Sequence, residues 1–310
     1  MTKIQPKKYA LLALKGMAMG AADVVPGVSG GTIAFITGIY EELISSINNI
    51  NLGLLTTLRK DGFAAAWKQL NGTFLLVLFA GIIMSIASLA KIVTYVLEAH
   101  PVLIWSFFFG LIIASAWLIG KTIKNWSIPN LSMLLIGAVV ALWISSLQTT
   151  VSPDSALWYI FLSGAIAICA MILPGISGSF ILVLMGSYHV VLGAVKEREI
   201  AIILIFMIGC LVGILSFAKV LKFLFTKYKE LTIALLTGFM IGSLYKVWPW
   251  KVNVGEAPLV IHSNGKEDWM QANVLPQNFL GDNQLLLAIA CALAGLLLVI
   301  ILERFAPKEA

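Results

Sequence analysis

Six long apolar runs dominate this chain, near 73–97, 101–120, 130–148, 200–221, 231–248 and 284–303. A helix needs about 20 apolar residues to cross the hydrocarbon core of a bilayer, and each run supplies a crossing. With 60% hydrophobic and 12% charged residues and a mean hydropathy of +0.96, the chain reads as an all-α polytopic integral membrane protein. Two further apolar regions, near 9–49 and 156–195, are interrupted. The first contains DVVPGVSGGT at 23–32 and the second MILPGISGSF at 171–180. Proline lacks an N–H and stops a helix, and glycine admits unusual backbone angles. Both regions therefore read as Pro-Gly-broken helical hairpins, re-entrant if each dips in and returns, or fully spanning if each crosses twice.

The two breaks belong to an internal repeat. Gly16, Pro26, Gly27, Ser29 and Gly30 fall on Gly164, Pro174, Gly175, Ser177 and Gly178 at a constant offset. Downstream the match resumes at a shorter offset, where SLAK at 88–91 pairs with SFAK at 216–219 and Gly110 with Gly238. A polar insertion near 51–71 accounts for the change. Each half, 1–150 and 151–310, is expected to hold one broken hairpin followed by three transmembrane helices. Three spans between the hairpins give an odd number of crossings, so the second half enters from the opposite face. This is an inverted-topology repeat, an arrangement that many secondary transporters share.

Charge gives the expected orientation. Lys7, Lys8, Arg59, Lys60, Lys121, Lys124, Lys222, Lys227 and Arg304 fall on the side of the N-terminus, whereas Lys196, Arg198, Lys246, Lys251 and Lys266 fall opposite. The positive-inside rule then places both termini in the cytoplasm and 249–283 outside. The basic start lacks a small-residue cleavage site and is not read as a removable signal peptide. The net charge of +6 fits loops facing anionic lipid and gives no reason to expect nucleic acid. Cys169, Cys210 and Cys291 lie in apolar segments, and the histidines form no cluster. No metal or cofactor is expected.

Each break should expose the start of a new helix, near Ser29 and Ser177, with serine as N-cap. The first N–H groups of such a helix are unpaired and carry partial positive charge, which suits an anion. Broken backbone survives at membrane depth only where it is buried in protein or lines a cavity. The alternative is a kink with small residues for close packing. The recurrence of the motif favours substrate binding by Pro26, Gly27, Ser29, Gly30, Gly31 and Thr32 in one tip. Pro174, Gly175, Ser177, Gly178 and Ser179 form the other. Asp23 and Glu41 flank the first tip without acidic counterparts in the second, where Met171 and His189 stand. Either acid is a candidate for coupling a proton or sodium ion, and Lys15 is a candidate ion-pair partner of Asp23. Lys91 and Lys219 recur at matching places. Snorkelling to the interface is one reading of them and attraction of phosphate the other.

GMAMGAADVVPGVSGGTIAFITGIYEEL, its echo AICAMILPGISGSFILVLMGSYHVVL and the six spans resemble the polyprenyl-phosphate transporter family, PopT, over nearly the whole chain. The resemblance implies a bacterial inner-membrane protein that returns undecaprenyl phosphate from the outer to the inner leaflet for peptidoglycan and other envelope synthesis. Its partner would be that lipid, with no catalytic residues. Two alternatives stay open on the residues. Integral-membrane polyprenyl pyrophosphate phosphatases also carry Pro-Gly-x-Ser loops in inverted repeats. Their loop resembles PGxSRS, and its arginine is replaced here by Gly30 and Gly178. A small-anion secondary transporter would use the same helix ends without an opening to lipid.

Overall fold

The computed structural model describes residues 6–24, 29–147, 156–255, 260–261 and 267–305. Pro26 and Gly27 of the first motif lie outside the described residues. The chain is mostly helical. The first broken region becomes α1 (Pro6–Asp23), α2 (Gly30–Ile36) and α3 (Tyr40–Asn48). The polar insertion forms two short helices, α4 (Leu52–Lys60) and α5 (Phe63–Leu70). Then come α6 (Gly72–Ala99), α7 (Pro101–Gly120) and α8 (Ile128–Ser146). The second broken region gives α9 (Leu157–Ile172), α10 (Gly178–Leu184) and α11 (Tyr188–Glu197). Helices α12 (Ile200–Lys227), α13 (Lys229–Ser243) and α14 (Leu285–Phe305) complete the set. Pro101 stands in the first turn of α7, where a missing N–H costs nothing.

Four of these helices, α6, α7, α8 and α12, are long and apolar enough to cross a membrane. With α10 and α11, a pair bent by 105°, the number reaches five. The chain is accordingly a multi-pass membrane protein. The expected span at 231–248 is shorter than its apolar composition suggested, because α13 stops at Ser243. The residues after it fold back. Trp248 packs edge-on against Phe109 with ring centres 5.5 Å apart. The Trp248 and Trp250 indoles donate to the carbonyls of Val274 (2.8 Å) and Asn283 (2.9 Å). An indole N–H needs an acceptor, and the following loop supplies one. That loop carries β1 (Lys251–Val254), β2 (Val260–Ile261), β3 (Glu267–Asp268) and β4 (Met270–Asn273). β1 pairs antiparallel with β4, and β2 with β3.

Small residues bring the long helices together, as expected where lipid removes the hydrophobic drive for association. Gly16 and Gly81 let α1 and α6 touch backbone to backbone, and Gly164 and Gly209 do the same for α9 and α12. Gly110 and Gly295 join α7 to α14, while Gly137 and Gly238 join α8 to α13. The last two pairs each take one helix from either half, so the halves are interlocked. Large apolar side chains such as Leu76, Ile83, Val139 and Leu286 point outward. Buried hydroxyls of Ser106, Ser115 and Thr237 return to the carbonyls of Val102, Leu111 and Ile233 one turn back, which removes the cost of an unpaired polar group.

Candidate functional site

Each break sits at the inner end of a helix, and the two meet. In the first tip Ser29 is extended (φ −123°, ψ 136°) and caps α2, its hydroxyl accepting from the Gly31 N–H at 3.0 Å. The same hydroxyl donates to the Met171 carbonyl in the opposite tip at 2.8 Å. Thr32 answers it by accepting from the Gly175 N–H at 2.9 Å. Ser29 and Thr32 are fully buried, and these bonds join the two tips directly. Gly31 lies so close to the Ile172 carbonyl that no side chain fits there. Residues more than a hundred positions apart therefore form one hydrogen-bonded cluster.

Asp23 ends α1, and its Oδ1 accepts from the Gly30 N–H at 2.7 Å. A carboxylate thus occupies the start of α2, where partial positive charge gathers. The expected partnership with Lys15 is not formed, because Lys15 donates to the Thr37 carbonyl at 2.7 Å.

The second tip is built differently. Gly175 takes φ +84°, a backbone angle that side chains disfavour, and a Cβ there would meet the Phe239 carbonyl at 2.8 Å and the Ser243 hydroxyl at 2.9 Å. Ser177 holds the N-cap position of α10, but its side chain makes no capping bond. It bonds the Ser179 hydroxyl at 2.8 Å. Met171 stands where the first tip has Asp23, and Gly178 packs on the Ala167 carbonyl and the Met171 side chain.

The remaining sequence candidates lie apart from the tips. Glu41, on α3, pairs with Lys229 at 2.7 Å, both side chains about half exposed. Lys91 and Lys219 occupy the same place in two 28-residue helices and are exposed. Among the described residues no hydrogen bond or ion pair ties them to a tip. No group of His, Cys, Asp and Glu among the described residues is arranged to hold a metal ion. Sequence reasoning passed over two lysines beside the second tip, Lys246 and Lys251. In the sequence they count only among the charges opposite the N-terminus, although YKVWPWKV interleaves them with aromatics.

An apolar cavity of about 210 Å³ flanks the first tip, with Ala22, Ile33, Phe107, Leu111 and Val299 in its wall. A larger one, about 500 Å³, lies among α7, α8 and α13 and has Lys121 at its edge. The Lys121 ammonium stands 3.3 Å from the centre of the Trp117 ring.

A family model described as VCA0040-like, undecaprenyl phosphate translocase-like, matches residues 19–261. The chain is 47% identical over 305 residues to a polyprenyl-phosphate transporter of Vibrio cholerae, which covers 97% of this chain and 98% of that protein. It is 34% identical over 255 residues to a polyprenyl-phosphate transporter of Staphylococcus aureus, covering 76% and 85% respectively. No solved structure matches.

Proposed function

The chain belongs to the VCA0040-like, undecaprenyl phosphate translocase-like family, and from that membership we propose that it carries undecaprenyl phosphate from the outer to the inner leaflet of a bacterial cytoplasmic membrane. The returned lipid serves envelope synthesis. It acts as a transporter and not as an enzyme. Gly30 and Gly178 stand where a phosphatase loop would need arginine to stabilise a transferring phosphoryl group.

The observation that carries the site is the hydrogen-bonded meeting of the two tips. In our reading the halves 1–150 and 151–310 are inverted repeats, with both termini cytoplasmic. Two contacts support hairpins that return to the face they entered. Tyr159 and Ser163, near the start of α9, bond Met185 and Ser187, beyond the break. Lys15 reaches Thr37 in the same manner. In this reading the tips approach from opposite faces, and their mutual hydrogen bonds suit a closed state. Passage of a headgroup replaces the cross-tip bonds of Ser29 and Thr32 with bonds to phosphate. We assign Gly30 and Gly31 to one side of the path, and Pro174, Gly175, Ser177, Gly178 and Ser179 to the other.

Asp23 sets the chemistry of that exchange. Two anions cannot share the Gly30 N–H, so the carboxylate must swing away or take a proton when phosphate arrives. That makes Asp23 the coupling group, while the ion pair of Glu41 and the exposure of Lys91 and Lys219 leave them outside the path. The apolar cavity beside the first tip favours a lipid over a small anion, since an anion gains nothing from such a wall.

Sealed proteoliposomes containing undecaprenyl phosphate test the function. The purified protein should move headgroups between leaflets, read by their accessibility to an added phosphatase. Movement of inorganic phosphate alone would replace the lipid reading with the small-anion one. Phosphate release from undecaprenyl pyrophosphate would replace it with the enzyme.

A further inference from the structure

Beyond the end of α13 the chain turns sharply, the Lys246 N–H donating to the Ser243 carbonyl at 2.9 Å. Ser243 is the residue whose hydroxyl packs against Gly175 in the second tip. The turn therefore continues directly from the wall of that tip. The Lys246 ammonium lies 4.0 Å from the centre of the Phe180 ring, on α10. Lys251 opens β1, and its ammonium lies 4.0 Å from the centre of the Trp105 ring, on α7. It also donates to the Lys246 carbonyl at 2.7 Å. Two cations thus share one corner, enclosed by aromatic rings and only partly exposed.

Their partners do not balance their charge. Among the described residues neither lysine meets a carboxylate, whereas Lys229 has Glu41. An ammonium has three N–H donors. Lys251 uses one on a carbonyl, and Lys246 has no acceptor among the described residues. Ring faces attract cations but accept no full hydrogen bond. Burial lowers the Lys246 ammonium below its usual value. Burial first, and then the like charge of Lys246, push Lys251 down to about 7. A corner that holds two uncompensated cations is improved by any anion that enters.

The tips point to what that anion is. The first tip carries its own carboxylate on the start of α2. The second has methionine at that place and a helix start without a side-chain capping bond, and it is the tip beside the lysines. We infer that Lys246 and Lys251, with Phe180 and Trp105 as walls, form a receiving site for a phosphate monoester on the flank of the second tip. Its identification with a lipid headgroup rests on the proposed function. A dianion matches two ammonium groups, and aromatic walls suit a ligand whose next atoms are prenyl carbon. In the proposed orientation the site faces outward, so it collects headgroups before the tips part.

The test is binding of farnesyl phosphate, inorganic phosphate and farnesol to the full-length protein in detergent, read by ligand-induced thermal stabilisation. Lys246→Gln and Lys251→Gln should each weaken farnesyl phosphate by about tenfold, the scale of one charge-assisted hydrogen bond. Lys251→Arg should retain binding. The glutamine variants should remain folded, because loss of the ring-face contacts is offset by relief of the like-charge contact and glutamine keeps an N–H donor. A folded double glutamine variant that binds farnesyl phosphate like the wild type overturns the inference. So does equal stabilisation by farnesol and farnesyl phosphate, which would mean that only the tail is held, and that result leaves the transport function standing. Lysine-dependent binding of inorganic phosphate without any response to farnesyl phosphate keeps the site and overturns the lipid function instead.

Discussion

The two tips share a motif and differ in charge. The first is closed on itself, with Asp23 on the Gly30 N–H and Ser29 on the Gly31 N–H. The second has Met171 in place of the acid, an uncapped helix start, and two lysines within the next shell of residues. Symmetry in sequence thus carries asymmetry in chemistry. One tip is supplied with an anion by the chain, and we propose that the other takes one from outside. A carrier that receives a phosphate on one face and releases it on the other gains from that difference. Under the proposed function the external anion would enter where no internal one competes, and meet a competitor where it must leave.

Making the tips alike should have the largest effect. Met171→Asp gives the second tip the acid of the first, beside Gly178 at the start of α10. Headgroup movement in proteoliposomes should fall by at least about tenfold, since a built-in carboxylate competes with phosphate for charge-assisted bonds. Unchanged transport by the folded variant would show that the asymmetry has no functional weight.

The hydroxyls of the tips should differ in what they hold. Thr32→Val removes the acceptor of the buried Gly175 N–H and should cost about 1–3 kcal/mol, the penalty for an unpaired buried donor. Ser177→Ala removes a hydroxyl that caps nothing and bonds only Ser179, and should cost less than about 1 kcal/mol. Thermal unfolding in detergent compares them. A larger loss for Ser177→Ala would reverse our assignment of which tip is structurally closed.

A smaller effect should follow pH at the second tip. Lys251 loses its proton as pH rises through about 7, burial and Lys246 having lowered its value. Phosphate is already largely dianionic above pH ~6. Affinity for farnesyl phosphate should therefore fall by about fivefold between pH 6.5 and 8.5, an order-of-magnitude expectation from one titrating cation. Lys251→Arg, which stays charged, should flatten the profile. A wild-type affinity that holds or rises over this range would remove Lys251 from the binding site.

Much of this architecture was legible in the sequence, and the exceptions have physical causes. Long apolar runs marked α6, α7, α8, α12 and α14, because a bilayer leaves few alternatives to a helix. Pro174-Gly175 marked the second break, and serine stood where each following helix begins. The end of α13 was not legible. The expected span ran to Trp248, one residue before Pro249, but the helix ends at Ser243 and the two tryptophans fold onto α7 and the loop instead. The helices α4 and α5 were hidden in a segment read only as polar, and the strands were too short to announce themselves. Hydroxyl bonds between the tips could not be foreseen, because Ser29 and Met171 meet only after both halves have folded. Aspartate beside a helix start was visible, while its bond to Gly30 depended on how the break closes.

The central claim is that a lipid phosphate passes between the tips, and its most direct test is where a headgroup can be trapped. A polyprenyl phosphate bearing a photoreactive group on the isoprene nearest the phosphate can be activated in transporting proteoliposomes, and the labelled peptides sequenced. We predict labelling within 29–32 and 171–180, with a second cluster at 246–251. Efficient labelling confined to outward-facing residues such as Leu76, Ile83 and Val139, with both tips unmodified, would contradict the account.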